Sequence, residues 1–202
     1  MIKGLSWRTG LGTILMMALW VVSNAEKDPG ITTGIPPSTV ADYVHAVIEA
    51  HRTFYTLHVV ERLQIKGVLV ASQNWRAANT LPLPAQFLIE SGELAAKTGS
   101  KVTYRLIGLW PINKKNGAAT EFERRGLEDV QMHPERPYTH SVARDREQYF
   151  EAVYADRAVT QACIGCHNAH PESPKRDFRM NDVMGGMVIT IPIGSESSSR
   201  MQ

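Results

Sequence analysis

The sequence predicts an α+β domain in which helices pack on one side of a short antiparallel sheet. Three observations carry this. Apolar residues recur at helical spacing between residues 38 and 63. Two further segments, 85–97 and 121–132, open on helix-start signals. Short runs rich in strand formers lie between and after them. The composition, 43% hydrophobic and 21% charged, is that of an ordinary globular domain. A net charge of +2 is too small to argue for nucleic acid or an anionic membrane as partner.

Residues 1–25 read as a signal peptide. Lys3 and Arg8 make a basic n-region, Leu11–Val22 an apolar h-region, and Ser23-Asn24-Ala25 a run of small residues for cleavage. The apolar stretch is short for a bilayer span, which takes about 20 residues. An uncleaved anchor is the alternative. Either way the remainder is expected outside the cytoplasm, in the periplasm, and not integral to the membrane once the leader is cleaved. About 175 residues then remain, enough for one domain with its own core. No second apolar segment is long enough to span.

Residues 26–37 are glycine- and proline-rich and read as a linker; 38–195 form the domain and 196–202 a polar tail. A long helix is expected from Ser38 or Thr39, where Thr39-x-x-Asp42 resembles a capping box, to about Leu63. Val40, Val44, Val47, Ile48, His51, Tyr55 and His58 fall on its apolar face. His45 falls off that stripe and is expected to be exposed. The segment 67–79 fits neither helix nor strand clearly. Leu81–Pro84 breaks the chain, and Pro84 suits the first turn of a helix over 85–97, which Gly92 weakens and Gly99 stops. A strand follows at 102–107. Thr120-x-x-Glu123 is a capping box for a helix over 121–132, ended before Pro134. Residues 140–144 and 148–154 read as paired strands turning near Arg146, and 187–191 as a last strand.

Between those strands stands Cys163-Ile-Gly-Cys-His167, and its cysteines are the only two in the chain. The C-x-x-C-H spacing is that of c-type heme attachment. Two thiols add to two heme vinyl groups, and the adjacent imidazole reaches the iron from the same loop. The competing readings are weaker. A Cys163–Cys166 disulfide closes a very short loop and adds little stability. A thioredoxin-like pair belongs in a βαβ setting that is not visible here. A zinc site using His167 and His170 as well would crowd four ligands into eight residues. One covalent heme c is expected.

The chain resembles the extracytoplasmic c-type heme domains with a PAS-like fold, which occur alone and as sensor halves of histidine kinases and cyclases. The residues that carry this are Cys163-Ile-Gly-Cys-His-Asn-Ala-His-Pro-Glu-Ser-Pro-Lys175 and Asn181-Asp-Val-Met-Gly185, with Leu81–Phe87, Trp110–Asn113 and Thr120–Arg124 upstream. The resemblance implies a PAS-like antiparallel sheet with heme held against it, thioether bonds from Cys163 and Cys166, and His167 as proximal ligand. In at least one relative a cysteine from the helix before the first strand is the second axial ligand. This chain has no third cysteine, and Phe87 stands near that place as a candidate distal lid. The family's Gly-Asp-Val-Arg-Gly run is Asn181-Asp-Val-Met-Gly185 here.

The sixth position decides access and potential. His58 and His51 are candidate distal ligands, and Met180, Met184 and Met187 are further candidates; otherwise the iron is open or water-bound. His170 is too near the proximal ligand to reach the opposite face, and His133 and His140 are expected at the surface or in loops. Arg105 is a candidate propionate partner, with Lys175, Arg176 and Arg179 behind it. Trp110, Tyr104 and Phe150 are expected in the core or along the porphyrin. Two functions compete: a redox or gas sensor binding a small gaseous ligand, and a periplasmic electron carrier docking a redox partner protein. The sensor would need a partner to pass its signal on, since no kinase or cyclase segment follows. No catalytic constellation is visible, so an enzyme ranks last.

Overall fold

Pro37 occupies the first turn of helix α1 (Pro37–Phe54), where its missing N–H costs nothing. The Thr39/Asp42 cap is not used, because the helix begins two residues earlier behind Pro36. The computed structural model describes residues 34–195; the leader, most of the linker and the tail lie outside the described residues. α1 runs on through a π-helical stretch, Tyr55–Glu61, into α2 (Arg62–Ile65). Its inward face is Ala41, Ile48, Arg52, Thr56 and Val60. The expected stripe was therefore rotated, and Val47, His51 and His58 face solvent. Two features hide the true stripe from sequence. Two of its members are polar, and the π stretch takes more residues per turn than an α-helix.

The ambiguous segment contains a two-residue strand β1 (Ala71–Ser72), one helical turn α3 (Trp75–Ala78) and β2 (Leu81–Pro82), which pairs with β1 in parallel. α4 (Pro84–Ala96) follows, opened by the Leu83 N–H donating to Gln86 Oε1 at 3.1 Å. Gly92 is there for contact: a Cβ would lie 2.5 Å from the Tyr104 carbonyl oxygen on the neighbouring strand. β3 (Thr103–Gly108) leads through the loop at Trp110 to α5 (Glu121–Met132), whose capping box forms as expected. β4 (Tyr138–Arg144) and β5 (Glu147–Arg157) make a hairpin turned by Asp145 and Arg146, both in the left-handed region (φ 51° and 67°). α6 (Gln161–Ala169) and β6 (Val183–Ser195) are the last elements of the described residues.

The main sheet has the order β3-β6-β5-β4, antiparallel throughout. Helices cover both faces rather than one. Ala152, Tyr154, Met187 and Ile189 pack with Ala41, Ile48 and Leu88 on the α1/α4 side. Val153, Val188 and Ile107 pack with Leu127 and Val130 of α5 on the other. Strands buried on both faces require two apolar layers. β6 starts four residues earlier than expected, and Gly185 and Gly186 are strand residues. A Cβ on Gly185 would run into the Ile107 carbonyl, and one on Gly186 would press on Val153. Among the described residues, no helix is long and apolar enough to cross a membrane.

Candidate functional site

The C-x-x-C-H run is helical. Thr160 caps α6 by accepting from the Cys163 N–H at 3.3 Å, so the motif starts within the first helical turn. Helical spacing brings Cys163, Cys166 and His167 onto one face. The two cysteines are not bonded to each other; Cys163 is half-buried and Cys166 exposed. The His167 Nδ1 is buried and has no hydrogen-bond partner. Burial pushes the imidazole below its usual pKa, and the nearby Asp156 carboxylate pulls it back.

The segment after α6 is folded onto it. Asn168 accepts from the Phe178 N–H and donates to the Phe178 carbonyl, each at 3.0 Å. That places the Phe178 ring edge-on to His167, with centroids 5.7 Å apart at 89°, and against Trp110 at 5.8 Å. Met184 and Ala158 close the cluster beside Cys163 and Ile164.

All three motif side chains line a cavity of about 890 Å³. This lies inside the range of small-molecule and cofactor sites, about 300–1,000 Å³. Its apolar walls come from Val60 at the end of the first helix, Leu83 and Ile89 around α4, Leu106 on β3, and Trp110. Arg52 and Asp156 face it as a buried ion pair. Lys115 and Arg157 also line it; neither has a carboxylate partner among the described residues. A flat, largely apolar group carrying acidic substituents fits this arrangement. The thiols can bond its edge, the unpartnered imidazole can serve a metal at its centre, and cations stand ready for the acids.

The other expected site residues lie elsewhere. His51 and His58 are exposed and do not line the cavity; His58 tilts against Phe54 at 4.9 Å. Phe87 stacks on Tyr55 at 4.6 Å, inside the α1/α4 core. Arg105 is on the α5 face, held by Glu123 through two contacts of 2.9 and 2.7 Å. Lys175 lies over the Trp110 and Phe178 rings, outside the cavity lining. Met187 is core and Met180 is exposed. His45 is not exposed: it stacks on Tyr154 at 4.0 Å. His140 is in a strand, 2.7 Å from Glu151. Arg52, Asp156 and Phe178 were missed from sequence. An arginine in step with Ile48 and Val60 and a lone aromatic in the polar run 171–182 were the available signals.

The chain belongs to the Tll0287-like family. The family model matches residues 35–192, which take in the two-faced sheet up to the last residues of β6 and the α6 motif. This agrees with the resemblance drawn from the motif residues. The fold is also that of the cyanobacterial heme-protein Tll0287, whose crystal structure matches with a TM-score of 0.50 at 13% identity, over 80% of this chain and 99% of that one. No curated protein matches the chain.

Proposed function

We propose that this chain is an exported, PAS-like monoheme c-type cytochrome that binds a small gaseous ligand or senses redox state. In this reading Cys163 and Cys166 form the thioethers, and His167 is the proximal ligand. Lys115 and Arg157 take the propionates in place of Arg105, because they line the cavity without a competing acid while Arg105 is already occupied. The motif supports covalent attachment, and the fold's relative Tll0287 is itself a heme-protein.

One observation carries the choice of a binding role. Among the described residues, the cavity walls outside α6 carry one imidazole, His170, three residues past His167, and one thioether, Met184, which packs beside Cys163; both are on the motif's own side. Among the described residues, the remaining walls offer no imidazole or thioether as a sixth ligand. An open sixth position suits ligand binding, whereas two strong protein ligands suit electron transfer. Electron transfer remains as a second reading because Cys166 is exposed, which would put a heme edge at the surface for a redox partner protein.

The test is the absorption spectrum of the reduced protein with and without carbon monoxide. The proposal expects a prompt shift to a carbon monoxide complex. A six-coordinate reduced spectrum that the gas leaves unmoved would favour the carrier.

A further inference from the structure

Arg52 is the one charged side chain on the buried face of α1, with 5% of its side chain exposed. Its Nη2 reaches Asp156 Oδ1 and also donates to the Arg157 carbonyl at 3.1 Å. Its Nε donates to Glu49 at 3.2 Å. Asp156 is at the end of β5, beside an irregularity in the β5–β6 register, and is 13% exposed. A buried ion pair is a poor way to stabilise a fold, since apolar residues of similar volume do as well or better. This pair is also not deep in either core layer. Both partners face the cavity that holds Cys163, Cys166 and His167.

We infer that the Arg52–Asp156 pair sets the charge environment of the iron and thereby tunes its one-electron Fe(III)/Fe(II) couple, with the carboxylate dominant. The inference rests on the heme reading above. Charges interact strongly where water is excluded, and an anion beside the metal favours the ferric state. Arg52 is shared between two carboxylates, Asp156 and Glu49, and also donates to the Arg157 carbonyl, so the cluster holds more negative than positive charge. The pair therefore lowers the potential relative to an uncharged pocket.

The experiment is a spectroelectrochemical titration of the full chain carrying its heme. Asp156→Asn is expected to raise the midpoint potential. Arg52→Gln is expected to lower it by less. The double variant Arg52→Met with Asp156→Leu leaves no buried charge unpaired, so it folds even if a single variant does not, and its potential is expected above that of the parent. Potentials that do not move, or single variants that shift in the same direction, overturn the inference. Intact mass is recorded on every preparation. A parent chain without added heme mass defeats the heme reading itself, whereas attached heme with unmoved potentials defeats only the role of the pair.

Discussion

The ring of Phe178 meets the imidazole of His167 edge to face, 5.7 Å between centroids and 89° between planes. Phe178 is 3% exposed and is tied to α6 by both of its backbone groups through Asn168. The polar run after the motif thus contributes the side chain that fixes the orientation of the imidazole. Phe178→Ala removes a buried aromatic and is expected to lower unfolding stability by about 3–5 kcal/mol, measured by urea denaturation. Phe178→Leu keeps most of the packing and should cost far less. Equal effects from the two would contradict a role for the ring as such.

Gly92 makes the α4–β3 approach possible. In an isolated helix, Gly→Ala stabilises by about 1 kcal/mol. Here the added methyl meets a backbone carbonyl that cannot swing aside. Gly92→Ala is expected to destabilise by about 1–3 kcal/mol, seen as a lower urea midpoint with an unchanged slope.

Thr120 caps α5 by accepting from the Glu123 N–H at 3.2 Å, while the Glu123 carboxylate accepts from the Thr120 and Ala119 N–H groups and holds Arg105. Thr120→Ala should cost about 1 kcal/mol. Glu123→Gln should cost more, because it also weakens the Arg105 pair. The same denaturation series orders the two variants.

Acid should weaken the fold in two stages. Burial holds the His45 imidazole below its ordinary value of 6.5, so the unfolded chain takes up that proton first and stability falls as pH drops below about 6.5. Burial pushes Glu151 up, but hydrogen bonds from Arg144 and His140 outweigh it and hold the carboxyl below its ordinary 4.5. Its contribution is present above that value and is lost as pH falls through the folded pKa. Urea midpoints at pH 7, 5.5 and 3.5 should fall at each step. His45→Gln should flatten the first step and Glu151→Gln the second.

The sequence showed most of the elements because local rules governed them. The capping box at Thr120, the strand expected at 102–107 and the helix start at Pro84 all stand close to where pattern placed them. The errors share one cause: tertiary contact overrode a local signal. The strand expected at 187–191 left out Gly185 and Gly186, since glycine is a poor strand former, but both serve a close approach of strands. Arg52 and Thr56 broke the apolar stripe and drew His51 and His58 inward on paper, because the acid that allows an arginine to be buried lies 104 residues away. The C-x-x-C-H motif was legible, since its spacing is its chemistry. The walls of its cavity were not, because they come from the first helix, α4, β3 and the end of β5.

The most direct test is intact and peptide mass spectrometry of the chain made in cells that can mature c-type cytochromes. The expected result is the mass of one heme on the polypeptide, retained under denaturing conditions and mapping to the peptide with Cys163 and Cys166. A polypeptide of unmodified mass, with both thiols free to alkylate, would contradict the account.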